Sequence, residues 1–204
     1  MKKEIKALIG AIRKHQNQTV RNLLVQDPSL VNACASAPPK KDDGQSPLQI
    51  AFKTGNFEIA GILIDLGANV HFMEESAINE WRVPVLHDAL RAAAFTARDG
   101  ENPAGEEFEL AISLVRRLLA KGVDPNATDS YGNNALLRAL MDSRQRLSVH
   151  PGFPDKVADE RLNQDLREIL QALIQAGADI HASNAQRESA AAFAKEPVLA
   201  ALLH

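Results

Sequence analysis

Cysteine is nearly absent. Cys34 is the single one in 204 residues, so no intrachain disulfide can form and a reducing, cytoplasmic setting is expected. Aromatic side chains make up 4% of the chain, with one tryptophan, Trp81, and one tyrosine, Tyr131. A core must therefore be built from aliphatic residues and alanine. No apolar run approaches membrane-spanning length. The N-terminal stretch Ala7 to Ile12 is too short for the core of a signal peptide, lacks a cleavage-like site and ends in Arg13-Lys14-His15. The formal net charge is −3, which provides no global basic field for a nucleic acid. Neither a nucleic acid nor a membrane is an expected partner.

Chemistry-bearing motifs are missing as well. There is no G-x-S-x-G, P-loop, G-x-G-x-x-G or Cys/His arrangement. His15, His71, His87, His150, His181 and His204 are scattered, without the H-x-x-x-H or H-E-x-x-H spacing a metal requires. Glu74-Glu75 and Glu106-Glu107 are adjacent acids. Neighbouring residues on a helix point in different directions, and acids in a first turn suit the helix dipole. No catalytic residue, metal or cofactor is predicted.

What is present is a repeated helix pair, clearest over residues 44–70, GQSPLQIAFKTGNFEIAGILIDLGANV. Ser46-Pro47 is an N-cap followed by proline at the first helical position. Leu48, Ala51 and Phe52 recur at helical spacing. After Gly55-Asn56, a second helix runs through Ile59, Ile62, Leu63 and Leu66, and Gly67 stands at its left-handed C′ position. Its close, LIDLGANVH, returns as LLAKGVDPN and LIQAGADIH, and its opening returns as VLHDA and ALLRA. So short a pair cannot bury its apolar face alone and needs stacked neighbours.

SPLQIA is close to the T-P-L-H-x-A signature that accompanies a period of about 33 residues. Together with the recurring ends, it makes nearly the whole chain resemble the ankyrin repeat family. The implied fold is an all-α solenoid of about five helix-turn-helix units in one domain, with approximate repeats 1–40, 41–78, 79–128, 129–183 and 184–204. The first unit reads as a polar-faced cap carrying Lys2, Lys3, Glu4 and Lys6, with QDPSLVN in place of a Gly-containing finger. A polar linker covers 33–43, and residues 71–82 make a long finger that includes Phe72 and Trp81. In the third and fourth units the alanine-to-glycine spacing is about double that of the second. The stripes continue, with restarts expected at Asn102-Pro103 and Asp155, so both helix arms are read as about two turns longer (~3.6 residues per turn), packed together as a wing. Ser189 and Pro197 start the short helices of a closing cap.

The resemblance implies a non-enzymatic module that binds a protein through its finger tips and the exposed face of each first helix. Carried over position by position, that surface comprises Asp43, Gln45 and Lys53 in the second repeat, and Glu80, Trp81 and Arg91 in the third. Ser130, Tyr131, Asn133 and Asp142 follow in the fourth, with Gln186 and Glu188 in the fifth. His71, His87 and His181 fall where such repeats tie their fingers together. The expected protein is a monomer that inhibits, neutralises or scaffolds one protein partner. The alternatives are a small-ligand binder or enzyme with a pocket between the elongated helices, and a self-associating structural protein.

Overall fold

A computed structural model describes residues 2–78, 81–99, 105–149 and 159–204. The chain divides into two compact units, Met1–Ala89 and Leu90–His204. The first opens with α1 (Lys3–Arg13) and α2 (Asn17–Gln26). Leu8, Ile9, Ala11 and Ile12 form the buried stripe of α1, and Val20 and Leu24 that of α2. Asp27 then caps a 3-10 turn over Pro28–Asn32, accepting the Ser29 amide at 3.0 Å.

The second pair follows as α3 (Pro47–Lys53) and α4 (Phe57–Asp65). Ser46 and Gln49 form the reciprocal capping box of α3, and Asn56 caps α4 by accepting the Ile59 amide at 3.3 Å. Every residue of α3 except Lys53 is buried, because this helix packs against both α1 and α4. Gly55 and Gly67 take the left-handed conformation, with φ of 68° and 86°.

The long finger is partly strand. Its ends pair as an antiparallel hairpin, β1 (Met73–Glu75) with β2 (Arg82–Pro84), Glu74 opposite Val83. Strand alternation turns Glu74 inward and Glu75 outward. α5 (Val85–Thr96) follows directly and contains the division between the two units.

The second unit contains α6 (Glu106–Ala120), α7 (Ala135–Leu147), α8 (Glu160–Gln175), α9 (Ala190–Phe193) and α10 (Pro197–Leu202). The elongated arms are present. α5 and α7 have 12 and 13 residues where α3 has 7, and α6 and α8 have 15 and 16 where α4 has 9. Phe108, Ile112, Val115 and Leu118 on α6 and Leu162, Leu166, Ile169 and Leu173 on α8 are fully buried, where the two helices pack. α6 starts after Gly105, whose φ is 73°, and α8 after Asp159, which accepts the Arg161 amide at 2.9 Å. The starts expected at Asn102-Pro103 and Asp155 lie outside the described residues. Just after α5, Arg98 reaches the buried Asp165 of α8 at 2.5 Å, and Asp99 pairs with Arg146 of α7. Ser189 and Pro197 start α9 and α10 as expected.

The same polar clamp joins successive repeats in both units. In the first, Asn32 donates to the Gly67 carbonyl at 3.2 Å and accepts the Asn69 amide at 2.7 Å. In the second, Asn126 donates to the Gly177 carbonyl at 3.0 Å and accepts the Asp179 amide at 2.8 Å. Each asparagine serves a helix-terminal carbonyl that would otherwise lack a partner. His71 and His181 join this pattern through their backbone amides, bound by Asn69 and Asp179 at 3.0 and 2.8 Å, and not through their exposed rings. Among the described residues no helix is long and apolar enough to cross a membrane.

Two glycines separate backbone strain from crowding. A Cβ at Gly55 would meet nothing within 4 Å, whereas at Gly44, φ 80°, it would run into the Glu75 carbonyl. Gly55→Ala should cost about 1 kcal/mol of unfolding free energy and Gly44→Ala about 3 kcal/mol. Urea denaturation of the two variants measures both, and equal losses would show that β1 yields to the added methyl.

Candidate functional site

Within the first unit, two of the expected contact residues turn inward. Asp43 is buried, and its carboxylate accepts the Ala37 amide, the Ser76 hydroxyl and the Ala77 amide, each at 2.9 Å. These donors, the Ala37 amide foremost, hold its carboxyl below the usual range. Gln45 is also buried, donating to the Lys41 carbonyl at 2.9 Å and to Glu74 at 3.3 Å. Both were expected on the exposed face. They are instead braces of the finger, because their backbone lies beneath the neighbouring hairpin. Trp81 is half-buried at the hairpin's end, where its carbonyl accepts the Ser76 amide at 3.0 Å. Glu80 lies outside the described residues.

Lys53 reaches solvent, but its ammonium is engaged. It lies 2.5 Å from Glu74 and 3.7 Å from Asp88. Both carboxylates are buried, at 2% and 7% exposure, and one ammonium cannot neutralise two. Glu74 takes the close contact. Asp88 keeps a neutral donor, the Gln49 amide at 3.0 Å, which also serves the Val83 carbonyl at 3.1 Å. Burial therefore pushes the Asp88 carboxyl up to about 7, with Lys53 opposing and Glu74 reinforcing the shift.

In the second unit the finger over 129–133 is a tied loop. Asp129 accepts the Tyr131 and Asn133 amides at 2.9 and 3.0 Å and the Asn133 side chain at 3.1 Å. Asn133, expected on the surface, is buried and receives Asn184 from the next finger at 2.8 Å. Asn184 in turn accepts the Gln186 and Glu188 amides at 3.0 and 2.8 Å. This ladder leaves Ser130, Gln186 and Glu188 exposed and holds Tyr131 with 50% of its surface accessible.

Asp142 is buried too, and its place in the expected surface passes to the arginines bound to it. Arg91 of α5 pairs with one oxygen, and Arg138, one turn back on α7, approaches both at 3.4 Å. Arg91 also lies over the Phe95 ring, 4.5 Å from its centroid. Farther along, Arg144, Glu188, Ala192, Phe193, Lys195 and Glu196 line a solvent-open depression of about 220 Å³. It lies beside α9, and not between the elongated arms, where the alternative small-ligand reading places its pocket. Among the described residues no group of three or more His, Cys, Asp or Glu is placed to hold a metal.

Asp88, Arg138 and Phe95 were not singled out from the sequence, and Glu74 was noted only as half of an adjacent acid pair. A signal for two of them existed. Aligned on SPLQIA, the position of Ile50 becomes Asp88 in VLHDA and Arg138 in ALLRA. Ile50 is fully buried, so a charge at that position has to find a partner.

Stacked short helix pairs tied by finger loops define a helical-repeat solenoid. Two family models match it: "Ankyrin repeat" over residues 43–74 and "Ankyrin repeats (many copies)" over residues 111–148. The chain therefore contains ankyrin repeats, modules that are in general non-enzymatic and mediate protein–protein interactions. No curated protein matches it.

The surplus carboxylate gives stability a pH dependence of known sign. Folded Asp88 holds a proton up to about pH 7, whereas an unfolded aspartate releases it near ~4. The contribution of Asp88 to stability is therefore greatest below the lower value, falls across the interval and levels off above the upper one. Asp88→Asn retains an acceptor for Gln49 and removes the charge. Its melting temperature should exceed that of the parent by roughly 5 °C at about pH 8, an advantage shrinking towards about pH 4. A difference that is flat across buffers would contradict this account.

Proposed function

We propose that this chain is a non-enzymatic cytoplasmic binding protein that engages one protein partner as a monomer and inhibits or neutralises it by covering its surface. The observation that carries the reading is the tied finger of the second unit. Asp129, Asn133 and Asn184 consume its buried polar groups, and Tyr131 stands half-exposed on top. A large aromatic on a pre-ordered loop loses little conformational entropy on binding, and tyrosine is over-represented among residues that dominate interface energy. Ser130, Gln186, Glu188 and Arg91 complete the contact set in this unit, and Lys53 and Trp81 supply it in the other. Asp43, Gln45, Asn133 and Asp142 support those residues from beneath.

The test is capture from host lysate with mass spectrometry, comparing the parent with Tyr131→Asp after circular dichroism has shown both to be folded. A protein held by the parent should be lost or weakened at least about tenfold by the variant. Equal capture would move the contact off this finger. Capture of nothing specific would count against a protein-binding role.

A further inference from the structure

The α5–α7 face of the second unit carries one positive charge more than its carboxylate can offset. Asp142, 1% exposed, sits between two guanidinium groups, Arg91 and Arg138. Arg98 and Arg146, by contrast, have carboxylates of their own in Asp165 and Asp99. The surplus is presented outward. The Arg91 side chain is 43% exposed, and the Phe95 ring beneath it is 41% exposed.

Arg91 is also fixed in orientation. Asp142 accepts one Nη1 hydrogen bond, and the guanidinium carbon lies over the Phe95 ring, 4.5 Å from its centroid. A guanidinium held on one edge and one face can offer its remaining N–H groups to an incoming planar anion, which pairs with them in two parallel hydrogen bonds. The exposed part of Phe95 lies alongside as an apolar contact.

Resting on the reading of this chain as a protein-binding module, we infer that the Arg91–Arg138–Phe95 patch receives an acidic segment of the partner protein, an Asp or Glu flanked by apolar residues. The buried Asp142 is out of the partner's reach and acts as the anchor of both arginines. A side-chain carboxylate supplies the missing negative charge. A long polyanion such as RNA fits less well, because the whole chain carries a net charge of −3 that repels it while leaving one or two local ion pairs favourable.

The probe is a short fluorescein-labelled peptide alternating Glu and Leu, with a matched peptide carrying Gln for every Glu. Fluorescence anisotropy should show the Glu peptide binding at least about tenfold more tightly than the Gln peptide, the difference a charge-assisted pair confers. Added salt should narrow that gap. In nitrogen-15 spectra of arginine side chains, the Arg91 Nε–H resonance should move with the Glu peptide alone. Arg91→Met keeps the stem, leaves Arg138 on Asp142 and should abolish the preference. Equal binding of both peptides, no binding of either, or tighter binding of single-stranded RNA would overturn the inference. If lysate capture through Tyr131 succeeds while the Glu peptide fails, only the acidic-segment inference falls. If both fail, the binding reading falls with it.

Discussion

Hydrogen bonds from asparagine side chains to the backbone of the next repeat are the constraint on which each unit depends. Helices of seven and nine residues are too short to persist alone in water, and their ends leave carbonyls and amides without intrahelical partners. Asn32 and Asn126 answer both problems, each binding a glycine carbonyl and an amide two residues beyond it. Apolar packing supplies the attraction between helix pairs but is tolerant of sliding. The two-point grip is not, so it sets the register. Asp43, Asp129 and Asn184 bind backbone amides within their own fingers and so order the tips locally.

A second theme is the signature position that differs among the three central repeats: Ile50, Asp88, Arg138. In the first unit the acidic version demands an ammonium and receives a share of Lys53. In the second, the basic version leans on Asp142, which Arg91 already holds. One site carries an anion too many and the other a cation too many. Buried and half-buried charges of this kind add little net stability over an apolar pair. They do make each repeat chemically distinct from its neighbours, as the uniform aliphatic core cannot.

Much of the architecture was legible in the chain because it rests on local rules. Ser46, Asn56 and Ser189 cap the helices where short polar side chains precede apolar stripes, and the doubled alanine-to-glycine spacing was reporting longer arms. The hairpin of β1 and β2 was not legible, since each strand has three residues and no period can establish itself over so short a span. The surface suffered for a different reason. A position in a repeat signature says which residue stands at a finger, not whether the next finger will cover it. Asp43, Gln45 and Asn133 are buried by residues more than twenty-five positions away, and only three-dimensional stacking reveals that.

The clamps also bear on how such a chain changes over generations. Asn32 and Asn126 hold the base of each helix pair, where the second helix ends and the next finger begins. Among the described residues, those at the opposite end, where one arm turns back into the other, take no part in that grip. Residues inserted there extend two helices outward without disturbing what joins one repeat to the next, much as teeth of unequal length can share one comb spine. The long α5–α8 arms and the short α3–α4 pair coexist on that footing. Repeat height is thereby uncoupled from repeat spacing, and a lineage can lengthen or trim an arm while the stack it belongs to keeps its order.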